Sequence, residues 1–198
     1  MIRTQQKQQN RENLLSQGVA LLMEQGYHGT GLKEILDAVK IPKGSFYNYF
    51  GRKENFGAEV IQHYIEPFIV QLTACLEQNQ DNALLALQLY FNGMITELEK
   101  NQFKGGCLLG NLMGEIGDTS DVCQQALHSA VNQYRNILQR GLAAAQQQGA
   151  IRIDKSAQEM ADLLVNTWQG ALLRMKIEKS SAPLKQCCQD LLGDFFKA

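Results

Sequence analysis

Three prolines in 198 residues leave little to break helices. Proline removes a backbone donor and crowds the preceding turn, so a chain this poor in it is free to be mostly helical. Strict alternation of apolar and polar residues is also missing, which argues against a sheet. No run of about 18 apolar residues occurs and no charged-then-apolar leader opens the chain. Neither a membrane span nor a signal peptide is therefore expected, and a cytoplasmic location is. The five cysteines (Cys75, Cys107, Cys123, Cys187, Cys188) are odd in number and lack CxxC or histidine-spaced patterns. Reduced thiols are expected, not a disulfide framework or a zinc site. His28, His63 and His128 are scattered, and no metal or cofactor is implied.

What is present is helical periodicity. A first helix is expected to about Gln25, with Leu15, Val19 and Leu22 inward and Gly26 as its stop. A long helix should open at Arg52-Lys53-Glu54 and pass through Phe56, Val60, Ile61 and Tyr64 to a break near Pro67. Leu84, Leu87, Phe91, Met94 and Leu98 mark another. Further helices are expected over about 121–147, 154–179 with Asp154 as cap, and 183–196. The fold class is thus all-α, with about nine helices. Helix 154–179 is apolar on most sides, and Leu184, Cys188, Leu191, Leu192 and Phe195 line one face of the last. Such faces need cover, and a second copy of the chain is the expected cover.

The most specific stretch is Lys33 to Phe56. Leu32, Ile35, Leu36 and Val39 form one helical stripe, and Pro42 forbids its continuation through Ile41. Proline is welcome at the start of a helix, so a new one of about two turns should begin at Pro42 or Lys43. It carries Lys43, Gly44, Ser45, Tyr47, Asn48 and Tyr49, rich in groups that reach phosphates and base edges. This is the layout of a helix-turn-helix reader of double-stranded DNA. Charge agrees with it: residues 1–55 carry eight Lys/Arg against five Asp/Glu, a net +3, whereas 56–198 carry −4.

At these residues the chain resembles the TetR-type transcriptional repressors. Gly26-Tyr27-His28-Gly29-Thr30, then Ile35, Val39, Ile41, Gly44, Tyr47, Phe50, Lys53 and Glu54, match that family's N-terminal pattern over about a quarter of the chain. Lys40, Pro42 and Gly31 depart from it. The resemblance implies a DNA-binding domain over 1–52 and a helical sensing and dimerisation domain over 53–198. It also implies a two-fold homodimer on a pseudo-palindromic operator. Lys43, Ser45 and Asn48 would face bases, and Thr30, Tyr47, Tyr49 and Lys53 phosphates, with Phe46 and Phe50 inside.

A second segment, Lys104 to Gly114, is rich in glycine around one cysteine. If it is helical from about Gly106, then Gly106, Gly110 and Gly114 line one face and Cys107 sits in the first turn. Unpaired N–H groups and the helix dipole there favour a thiolate. Cys107 is then either a reactive thiol or a small residue behind a glycine face. This segment, with Trp168-Gln169-Gly170-Ala171 and Lys176, resembles the electrophile- and oxidant-responsive, NemR-like group of TetR-type repressors. That resemblance implies Cys107 as the sensing nucleophile and Lys176 as its partner. The alternative inducer is an apolar small ligand, with Phe103, Met113, Trp168 and Met175 as candidate lining. An enzyme is not expected, because a thiol hydrolase built on Cys107 needs an oriented base and the spacing of His128 supports none.

Overall fold

The computed structural model describes residues 2–197, and the regular structure among them is helical, apart from one isolated bridge between Ile151 and Lys197. The helices are α1 Ile2–Gly29, α2 Leu32–Val39, α3 Lys43–Phe50, α4 Lys53–Gln78, α5 Ala83–Lys100, α6 Leu108–Ile116, α7 Asp121–Gln147, α8 Ala157–Glu178 and α9 Ala182–Cys188. The last runs on into a π-helical turn, Gln189–Phe195. The chain folds as two compact units: unit 1 takes the residues up to Glu66 with Cys107–Val131, and unit 2 takes Pro67–Gly106 and everything from Asn132 onward.

Unit 1 is built on α1, whose Leu14, Leu15 and Leu22 are buried. Gly26, at φ 76° and ψ 177°, takes the backbone out of the helix in a region open almost only to glycine. Gly31 opens α2, and with no side chain of its own it leaves the cap to the Glu34 carboxylate, which accepts the Gly31 N–H at 3.1 Å. Lys40 ends α2 in the left-handed conformation, φ 53°. Pro42 then caps α3 at φ −60°. Phe46 and Phe50 point inward and meet Phe56 of α4, with ring centroids 5.0–5.2 Å apart. These rings anchor a helix too short to be stable alone.

Two expectations about helix limits change here. The break near Pro67 does not occur, because α4 runs unbroken from Lys53 to Gln78 with proline inside it. One proline forfeits one backbone bond, and buried Ile65 and Leu72 on either side hold the helix. The glycine-rich segment is not helical from Gly106. Gly105 and Gly106 have φ of 85° and 79°, which a right-handed helix cannot contain. Helix α6 starts at Leu108 with Cys107 as its N-cap. Gly106 therefore does not share a face with Gly110 and Gly114.

In unit 2, α5 starts from Asn82, whose side chain accepts the Leu85 N–H at 3.0 Å. The expected cap of α8, Asp154, pairs with Arg152 instead. Ser156 takes the cap, exchanging hydrogen bonds with Glu159. Trp168 of α8 stands edge-on to Phe91 of α5 at 4.8 Å. Leu184, Leu191 and Leu192 are already covered within the unit, so only part of the last helix's apolar stripe is open, with Phe195 43% exposed. The Arg152 N–H donates to the Phe196 carbonyl at 2.8 Å, which ties down the C-terminal end.

Candidate nucleic-acid interface and effector segment

On α3 the packed and open faces separate cleanly. Phe46 and Phe50 are sealed, Lys43, Gly44, Tyr47 and Asn48 are exposed, and Ser45 and Tyr49 are half-buried. Each open residue other than glycine carries a donor, an acceptor or both. The Lys43 ammonium lies 5.9 Å from the Tyr47 ring, and that of Lys7 on α1 lies 5.9 Å from the Tyr49 ring. Lys7 was not among the expected site residues. Only the fold of α1 onto α3 brings its charge to this face.

Thr30 is a correction. It is fully buried, and its hydroxyl donates to the Gly26 carbonyl at 2.7 Å. A hydroxyl has one proton to give, and here it closes the corner after α1 instead of facing a phosphate. Lys53 is half-buried and donates to the Tyr27 carbonyl at 2.7 Å, with its ammonium 4.4 Å from the Tyr27 ring. Burial lowers its pKa from the ordinary lysine value, against the pull of Glu115 and Glu54.

The same corner holds a residue that the sequence did not single out. Glu115, at the end of α6, accepts the backbone N–H of Tyr27 at 2.7 Å and that of His28 at 2.6 Å. A Cβ on Gly26 would come within 2.7 Å of its Oε2, so the glycine makes room for the carboxylate as well as for the turn.

The thiols differ in setting. Cys123 is fully buried in unit 1, its Sγ donating to the Glu54 carbonyl at 3.5 Å, and burial pushes its pKa up. Burial does the same to Cys75 and lifts Cys187 to about 11 and Cys188 to about 12. Cys107 is half-buried at the N-cap of α6. The side chain of Lys176 lies along Gly106, the residue before Cys107, where a Cβ would meet Lys176 Cδ at 2.8 Å.

Of the expected pocket residues, Trp168 and Met175 are core of unit 2, Phe103 is half-buried and Met113 is 40% exposed. A groove of about 500 Å³ in unit 1 involves none of them; Arg11, Glu12, Glu59, Gln62, His63 and Glu66 line much of it. No group of three or more His, Cys, Asp or Glu among the described residues is placed to hold a metal ion. No described helix is long and apolar enough to cross a membrane.

Comparison with known proteins agrees with this geometry. Residues 14–60 match the model for bacterial regulatory proteins of the tetR family, and residues 83–191 that for the tetracyclin repressor-like C-terminal domain. The repressor DhaR of Mycobacterium sp. (strain GP1) is 36% identical over 89% of this chain and 87% of its own length. The repressor NemR of Escherichia coli (strain K12) is 29% identical over 88% of each. The crystal structure of reduced E. coli NemR superposes with a TM-score of 0.85 at 28% identity, covering 96% of this chain and 97% of that one. These relatives are transcriptional regulators and not enzymes. With the helix-turn-helix at α2–α3 and an all-helical remainder, the chain belongs to the TetR family of bacterial regulatory proteins.

Proposed function

We propose that this protein is a dimeric cytoplasmic repressor that reads a pseudo-palindromic operator with α3 and releases it when Cys107 is modified by an electrophile or oxidant. The observation that carries the reading is the α3 surface, polar and open outside, aromatic and sealed inside. Lys43, Ser45 and Asn48 face base edges, while Tyr47, Tyr49 and Lys53 hold phosphates. Residues 1–52 read DNA and 53–198 regulate. Relatives named as repressors support the direction of control. For the dimer, Leu163, Leu173 and Ile177 recur on one face of α8 at 39%, 54% and 85% exposure. A partner subunit is their natural cover.

The sensing chemistry balances without a cofactor. With an α,β-unsaturated carbonyl, Cys107 Sγ forms a bond to the β-carbon; the alkene pair shifts to the α-carbon, which takes a proton from water. With a peroxide, Sγ attacks one oxygen, the O–O bond breaks, hydroxide leaves, and sulfenic acid results. The Lys176 amine then displaces water to form an S–N bond, which thiols reduce. Its path beside Gly106 supports that role.

The test is fluorescence anisotropy on the DNA upstream of the protein's own gene at fixed salt, for wild type, Cys107→Ser and Lys176→Ala, with and without N-ethylmaleimide or peroxide. Release by wild type and retention by Cys107→Ser is the expected result. Loss of peroxide reversibility in Lys176→Ala assigns the amine. Release that survives Cys107→Ser overturns the thiol switch and assigns a non-covalent apolar inducer.

A further inference from the structure

Glu115 stands at one end of a short stiff rod. Helix α6 spans nine residues, about 13 Å, and Cys107 caps its other end. It lies against α1, with Leu108, Leu112 and Ile116 fully buried. The two oxygens of Glu115 take the N–H groups of Tyr27 and His28, just beyond the point where Gly26 breaks α1. From the other side, Lys53 of α4 donates to the Tyr27 carbonyl. One peptide residue is thus gripped at its donor by α6 and at its acceptor by α4. Thr30 and Gly31 follow immediately, then α2, which packs on the reading helix α3.

Three features show that this grip is built. Gly26 adopts a φ of 76° and leaves the space a Cβ would take from the carboxylate. Both bonds are short and join a charged acceptor to backbone donors, the stronger class of hydrogen bond. Both carboxylate oxygens are used, one on each amide, so the geometry of the side chain serves the corner. A side chain chosen for solubility alone needs none of this.

We propose that Glu115 is a latch that sets the angle of the DNA-reading helices, and that movement of α6 opens it. The inference rests on the DNA-reading function proposed above, and the carrier role of α6 rests also on the reaction at Cys107. With the latch closed, the α1–α2 corner is fixed and α3 meets the groove in register. With α6 displaced, both amides lose their acceptor, the corner relaxes, and operator contacts fall out of register while non-specific phosphate contacts survive. Glu115 is a positioning residue; it does not touch DNA.

The test uses the full chain and two variants, Glu115→Ala and Glu115→Gln. Hydrogen exchange at the Tyr27 and His28 amides is followed without DNA or inducer. Affinity is measured for the operator and for unrelated duplex DNA at the same salt. In Glu115→Ala, the two amides exchange at least about tenfold faster, and operator affinity falls about fivefold or more. Affinity for unrelated DNA stays the same, so the specificity ratio falls. Glu115→Gln, which keeps one acceptor, lies between. Alkylation of wild-type Cys107 opens the same two amides. Unchanged exchange, an unchanged operator affinity, or equal losses on both DNAs would each overturn the latch, the last showing a merely structural role. Amides that stay protected after alkylation would overturn α6 as the carrier. If wild type binds no operator, the DNA-reading function fails first; if it binds and Glu115→Ala matches it, only the latch fails. A low melting temperature in Glu115→Ala moves the comparison to Glu115→Gln.

Discussion

The two ends of α6 are made from the same material and used differently. Before its first turn stands Gly106, at φ 79°, and at its last turn Glu115 reaches Gly26, at φ 76°. Each glycine accepts a side chain at a distance no other residue allows. At Gly106 it is the Lys176 methylene chain, and at Gly26 the carboxylate of Glu115. The first contact is flexible and apolar, the second charged and doubly hydrogen-bonded. The end proposed to sense yields, and the end proposed as a latch holds. A glycine at positive φ serves at either end, because its partner and not its backbone decides stiffness.

The sharpest way to break this contrast is Gly26→Ala. It adds both a forbidden backbone conformation and a clash with Glu115, and should cost about 3 kcal/mol in urea unfolding. Gly106→Ala should cost less, about 2 kcal/mol, because Lys176 Cδ swings away. Adding Lys176→Ala should recover part of that loss, and a double-mutant cycle measures how much. Equal costs at the two glycines would erase the distinction between a yielding and a holding corner.

Thiol labelling sharpens the same point. At pH 8 a thiol lifted to about 11, as at Cys187, is thiolate in only about one molecule per thousand. Iodoacetamide followed by peptide mapping should therefore mark Cys107 at least about tenfold faster than Cys187 or Cys188. Raising the pH to about 11 narrows the gap, since roughly half of Cys187 and roughly a tenth of Cys188 is then thiolate. The smallest effect is Lys40→Gly. Lys40 is exposed and holds φ 53°, so glycine should stabilise unit 1 by about 1 kcal/mol. A loss instead would mean that the Lys40 side chain contributes to the turn.

The reading helix was legible in advance because its signals are local. Pro42 sets its start, and the spacing of Phe46 and Phe50 selects the inner face, leaving Lys43, Tyr47 and Asn48 outside. Asp154 misled as a cap because Ser156, two residues on, forms a reciprocal pair with Glu159 while Arg152 claims Asp154. Thr30 misled because a hydroxyl reads alike whether it faces a phosphate or a carbonyl. Glu115 carried no signal at all: an acidic residue after a glycine-rich stretch has no visible partner until α1 folds against α6.

Periodicity, proline placement and charge by themselves determined an all-helical chain with a basic helix-turn-helix at its N-terminal end. Those depend on neighbours three to seven residues apart. Tertiary structure alone decided that Cys107 caps α6, that Thr30 turns inward, and that Tyr27 is held by Glu115 from 88 residues away. Contacts at that separation depend on how helices pack, and packing is set by whole faces that no short window of sequence contains.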